Sequence, residues 1–224
     1  MQNAQVSTPA KDNAVRRVPR GEKRREEIAA VAERVFLDRG FAETTMQMIA
    51  AQAGASKETL YRHFGSKEGL FSAMVRSRSA RITGVDDSEL SVEAPPREVL
   101  FELGVSLLRF LVSADSLALY RMVVSEAPRE PELGRIFYTQ GPGRVLDKLA
   151  RYLGAAMRRG KLRCLDPELA AKLFLGAIFC NRHVLELVAP GWNALSDEQI
   201  QAHVEEAVGL FLARYGPDFS ARAV

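Results

Sequence analysis

The sequence predicts an all-α protein in two parts, a small helix-turn-helix unit followed by a larger helical bundle of about ten helices in all. Three observations predict it. Apolar residues recur at helical spacing in segment after segment, and no stretch alternates with the period of a strand. Glycine and proline mark most of the breaks between those segments. Charge is also divided along the chain. Residues 1–81 carry fifteen Lys/Arg against nine Asp/Glu, a net of +6, while residues 82–224 carry sixteen against nineteen, a net of −3. Only the first part suits a polyanionic partner.

Composition sets outer bounds. The 224 residues give room for two modest domains, and 47% apolar with 26% charged is the balance of an ordinary globular chain. The longest near-candidate for a membrane span, residues 173–180, is far too short, and the N-terminal stretch lacks the apolar run of a secretory signal. A cytoplasmic protein with no membrane partner is expected. Cys164 and Cys180 are too few for a disulfide framework and are expected as buried, reduced thiols. Together with His183 and His203 they lack zinc-ligand spacing, so neither a metal nor a cofactor is expected.

Residues 1–20 are polar, hold two prolines and show no apolar period, which reads as a disordered basic arm. Lys11, Arg16, Arg17, Arg20, Lys23, Arg24 and Arg25 crowd its end; they fit a solvated tail and a phosphate-seeking arm equally well. A helix begins near Glu22, with Ile28, Val31, Val35 and Phe36 on one stripe, and stops at Gly40. Thr44 with Gln47 has the spacing of a capping box, with Thr45 the competing cap, for a helix over about 45–53 that turns Met46, Ile49, Ala50 and Ala53 inward. Ser56 caps a short helix to Phe64, and Ser66 caps another to about Ile82 with Glu68 near its positive end. Residues 21–82 are thus expected to form one small unit, the candidate DNA-binding domain. Gly84, Asp86, Asp87, Ser88, Pro95 and Pro96 make 83–95 a linker. Helices follow over about 96–113, 115–127, 131–140, 142–160, 167–188 and 196–215, so residues 83–224 are expected to form the second, larger unit.

Chemistry concentrates at one place. Gly54, Ala55 and Ser56 form a tight turn between two short helices, and Ala50, Ala53 and Ala55 are small enough to let them cross closely. Leu60 and Phe64 anchor the second helix against Ile49 and Phe36. Its other face shows Lys57, Thr59, Tyr61, Arg62 and His63 with one acid, Glu58. Such a face offers donors to phosphates and base edges, although on its own it is equally a solvated polar surface.

The run GFAETTMQMIAAQAGASKETLYRHFGSKEGLF, residues 40–71, resembles the DNA-binding domain of the TetR family of bacterial regulators. The resemblance rests on Gly40-Phe41, Thr44-Thr45, Ile49-Ala50, Ala53-Gly54, Ser56-Lys57, Thr59-Leu60-Tyr61, His63-Phe64 and Ser66-Lys67-Glu68. It implies a homodimer whose two recognition helices enter successive major grooves of double-stranded operator DNA. It implies phosphate contacts from Thr45, Tyr61, His63 and Lys67, and base or groove contacts from Ser56, Lys57, Thr59 and Arg62. Glu58 departs from the small residue of many relatives. The run PELGRIFYTQGPGRVLDKLARYL, residues 131–153, is similar to the AefR-like C-terminal subtype.

That resemblance also assigns ligand sensing and dimerisation to residues 83–224, and implies a pocket for a small-molecule effector between about 66 and 188. Leu103, Leu107, Phe110, Tyr120, Phe137, Phe179 and His183 are its candidate lining, set against their reading as plain core. Helix 167–188, apolar nearly all round, is expected to pair with 142–160 across the two-fold axis. No nucleophile with its base, paired carboxylates or phosphate loop appears, and Gly141-Pro142-Gly143 lacks the lysine and hydroxyl of a P-loop. An enzyme is not expected. The expected function is a sequence-specific regulator, most often a repressor, released by its effector; the alternative is a non-specific architectural DNA-binding protein.

Overall fold

The computed structural model describes residues 20–82, 89–163, 165–192 and 194–217, and these form eleven α-helices with no strand. Residues 1–19 of the predicted arm, residues 83–88 of the linker, and Cys164 lie outside the described residues. The first four helices are α1 (Arg20–Arg39), α2 (Met46–Gln52), α3 (Lys57–Phe64) and α4 (Lys67–Ile82). The rest are α5 (Pro96–Leu111), α6 (Ala114–Glu126), α7 (Pro131–Gln140), α8 (Pro142–Arg158), α9 (Pro167–Phe179), α10 (Arg182–Val188) and α11 (Asp197–Tyr215).

Their starts follow local rules. Proline opens α5, α7, α8 and α9, where a missing N–H costs nothing. Ser113, Asp166 and Ser196 accept first-turn amides, and Ser196 with Gln199 completes a capping box on α11. The Thr44 or Thr45 ambiguity resolves for Thr45, whose hydroxyl accepts from the Met48 amide at 3.2 Å. Thr44 is buried instead and donates back to the Gly40 carbonyl. Helix α1 starts at Arg20, two residues ahead of the predicted start.

Two apolar cores hold the helices together. One joins Ile28, Ala32, Val35 and Phe36 of α1 with Ile49, Leu60, Phe64, Leu70 and Phe71 of α2 to α4. It does not stop at residue 82, because Leu119, Met122 and Val123 of α6 and Leu133 of α7 belong to it. The other is built from α5, α8, α9 and α11 around Leu100, Leu108, Leu149, Leu153, Phe174 and Val208. Helix α4 lies against α1 and α7 in the first core and against α5 and α8 of the second, and so carries the chain from one core to the other.

Two expectations need correction. The helix expected over 167–188 is two helices, broken where Cys180 takes a positive φ of 45°. A side chain helps to hold the broken end. The Nε2–H of His203 on α11 reaches the carbonyls of Ala177 and Ile178 at 3.0 and 3.1 Å, acceptors that a continuing helix would have used itself. Cys180 is also exposed, not buried, because it ends an outward stripe of Leu169, Leu173, Gly176 and Ala177 on α9. Among the described residues, no single helix is long and apolar enough to cross a membrane.

Candidate nucleic-acid interface

The second and third helices are joined by a turn fixed from below. The Ala55 amide reaches back to the Ala50 carbonyl at 3.0 Å, closing α2 over Ala53 and Gly54. The guanidinium of Arg24 on α1 then donates to the carbonyls of Ala53 and Gly54 at 2.8 and 3.0 Å. Arg25 lies over the Phe64 ring with 5.4 Å to its centroid. These two arginines, grouped with the arm in the sequence, therefore also brace the turn and the recognition helix. Their role is invisible in sequence because the Arg24 contacts span 29 and 30 residues.

Helix α3 buries Leu60 and Phe64 completely or nearly so, which turns the opposite face out. The Ser56 hydroxyl accepts from the Thr59 amide at 3.1 Å and lies 2.8 Å from the Thr59 hydroxyl, so both cap α3. Lys57, Tyr61 and Arg62 are exposed, and Thr59 and His63 are half-buried at the edge. The Lys57 ammonium sits 5.8 Å from the Tyr61 ring centroid. Thr45 is exposed at the start of α2. Arg62 and His63 in the last turn and Glu58 in the first also complement the helix dipole.

Lys67 is bound into the head itself. Its ammonium donates to the Phe41 carbonyl at 2.7 Å and stands 4.3 Å from the centre of the Phe41 ring. One of its protons is thus committed to the head itself. Behind it, Ser66 accepts from the Gly69 amide at 3.1 Å. A Cβ at Gly69 would lie 2.0 Å from the Phe64 carbonyl oxygen, so α4 can cross the end of α3 this closely only with glycine there. Glu68 in the first turn of α4 has its carboxyl held below the usual range, first by backbone amide hydrogen bonding and then by Ser66.

The seven candidate pocket residues separate into groups. Leu103 and Leu107 are buried in the second core, with Phe110 and Phe179 packed against it. Tyr120, Phe137 and His183 come together from α6, α7 and α10: the Tyr120 ring is 5.9 Å from Phe137 and 4.1 Å from His183. Burial holds the His183 imidazole below its usual pKa. None of the seven lines the cavity of about 690 Å³ between α8, the start of α9 and residues 89–92, whose walls include Leu90, Val92, Tyr152, Gly154 and Pro167.

Comparisons agree with this geometry. Residues 28–74 match the family model of the bacterial regulatory proteins of the TetR family. Residues 98–217 match that of the AefR-like transcriptional repressor, C-terminal domain. A solved TetR-family transcriptional regulator from Mesorhizobium loti is 32% identical, with a TM-score of 0.73 over 89% of this chain and 100% of its own. The flavonoid-responsive regulator FrrA is 29% identical, with a TM-score of 0.71 over 88% and 100%. The HTH-type regulator YezE of Bacillus subtilis is 25% identical over 79% of this chain and 90% of its own. With one family model on the helix-turn-helix and another on more than half of the chain, this protein belongs to the TetR family of DNA-binding transcriptional regulators and carries an AefR-like C-terminal domain.

Proposed function

We propose that the protein is a repressor that binds operator DNA as a homodimer and is released when a small molecule binds its C-terminal region. One observation carries the DNA-binding half: α3 stands on a braced turn with Lys57, Tyr61 and Arg62 outward and its apolar side fully buried. In this reading Thr45, Tyr61, His63 and Lys67 hold phosphates, and Ser56, Lys57, Thr59 and Arg62 reach the groove. Repression is supported by the description of the C-terminal family model, and effector control by the flavonoid response of FrrA. A regulator of this kind works beside the chromosome, in the cytoplasm.

The dimer face is best supported on α9 and α11. Leu169 and Leu173 of α9 and Leu210 of α11 are half exposed or more, and Ala177, Ala202 and Ala213 lie outward beside them. The two helices are neighbours, joined by the Phe174–Phe211 ring contact. Helix α8, the partner expected from sequence, shows Asp147, Arg151 and Arg158 to solvent instead. A four-helix bundle across a two-fold axis would therefore use α9 and α11.

Two recognition helices must sit about 34–36 Å apart to enter successive major grooves. An effector held near Tyr120, Phe137 and His183 would release DNA only if it binds the DNA-incompetent form more tightly. The test is to footprint the protein on the DNA beside its own gene and screen for compounds that free it. A protected pair of half-sites, released by a compound, is expected. Protection without sequence preference would replace the repressor by an architectural protein. Once a compound is found, calorimetry with and without operator must show that DNA weakens effector binding by the factor by which the effector weakens DNA binding, and equal affinities would remove effector control.

A further inference from the structure

We propose that Glu126 fixes the angle at which the helix-turn-helix head is carried, and thereby the half-site spacing the dimer accepts; this rests on the operator-binding dimer proposed above. Glu126 is the last residue of α6, and its carboxylate faces the turn between α1 and α2. One oxygen accepts from the Phe41 amide at 2.8 Å and the other from the Ala42 amide at 2.7 Å. A carboxylate that uses both oxygens on two successive amides is fixed in direction as well as in distance. The contact bridges 85 residues of sequence.

The site is built to receive it. Gly40 has φ +81°, and a Cβ there would stand 2.6 Å from the nearer carboxylate oxygen. Any larger residue would push the carboxylate out. The residue gripped is also the anchor of the head. Phe41 is buried with its ring 5.4 Å from both Phe36 and Phe71, and its carbonyl is the acceptor for Lys67. Any movement of the end of α6 is therefore delivered to the backbone at the centre of the head's aromatic core.

The second tie runs through α4. Arg78 is buried, ion-paired with Glu33 of α1, and lies 5.3 Å from the Phe110 ring of α5. The side chains that α6 and α7 lend to the first core hold the head in place, and two directional ties at separate points set the angle it takes. Across a two-fold axis that angle fixes the separation of the two α3 helices, which is what half-site spacing reads.

The test uses the full-length dimer and a pool of random-sequence duplexes, with bound molecules sequenced for the half-site motif and for the spacing between copies. Wild type is expected to enrich paired half-sites at one spacing. Glu126→Ala should keep the motif within each half-site but spread over neighbouring spacings, and lose roughly tenfold in affinity at the preferred one. Glu126→Gln keeps the size but opposes an amide N–H to one of the two donors, and should relax spacing in the same direction. Circular dichroism and sedimentation on both variants establish that each is a folded dimer. An unchanged spacing distribution, or an equal loss at every spacing, overturns the role of Glu126 alone. A wild type that enriches no paired half-sites overturns the operator-binding reading itself.

Discussion

Helices α3 and α9 each bury one side completely and differ in what they leave outside. Leu60 and Phe64 of α3 face inward while Lys57, Tyr61 and Arg62 face out. Ala170, Ala171, Phe174 and Ile178 of α9 face inward while Leu169, Leu173 and Ala177 face out. Core burial is similar in the two, so it says nothing about partners. The outward face decides: donors suit a polyanion, and a flat run of leucine and alanine suits a second copy of the same surface.

The largest expected effect tests the apolar face. Ala177 is exposed in the protomer, so Ala177→Arg leaves the core intact and places an unpaired charge in the proposed interface, at a cost of several kcal/mol on the order of a buried ion's. Sedimentation at low micromolar concentration should show a folded monomer. A folded dimer would move the interface away from α9. The polar face is tested next by a pair of variants. Arg62→Ala should cost about 1–3 kcal/mol and relax base preference at one position. Lys67→Ala should weaken all sequences alike and lower the salt slope by about one unit. If Lys67→Ala lowers the melting temperature and leaves the salt slope unchanged, its bond to Phe41 is its whole role.

Smaller effects sharpen the contrast inside the second core. The Tyr152 hydroxyl is buried with no hydrogen-bond partner among the described residues, and burial pushes its pKa up to about 12. Tyr152→Phe should leave stability unchanged or raise it by about 1 kcal/mol, measured by urea unfolding. A marked loss would mean that the hydroxyl has a partner. The smallest effect belongs to His183. Burial holds its pKa below 6.5, so the folded chain takes up its proton less readily than the unfolded chain. Its contribution is fully present above about pH 6.5 and is lost as pH falls below that value. His183→Gln should flatten stability against pH on that side, and an unchanged slope would show a solvated imidazole.

What the sequence revealed and what it hid follow from the range of the interactions. Ser56 with Thr59, Leu60 with Phe64, and the prolines that open α5 and α7 act within a helical turn or two, so spacing alone disclosed them. The break after Phe179 was hidden because a cysteine, with no glycine or proline within three residues of it, takes the positive φ, and His203 holds the carbonyls from another helix. Arg24 was grouped with an arm because its acceptors lie around residue 53. Glu126 was hidden for the same reason, since nothing in its own neighbourhood indicates that its partners are Phe41 and Ala42. Asp147, Arg151 and Arg158 are plain in the sequence, but only the packing of α8 against its neighbours shows that they share its outward face.

The placement of Leu119, Met122, Val123 and Leu133 in the first core has a consequence for how the molecule comes apart. A head that completes its interior with side chains from α6 and α7 cannot melt while they stay folded, nor they while it stays folded. Amide exchange in α1 to α3 should then follow the same opening as α6 and α7, with one shared free energy. Heating should give a single transition, and a fragment ending at residue 82 should be less cooperative than the same residues in the intact chain.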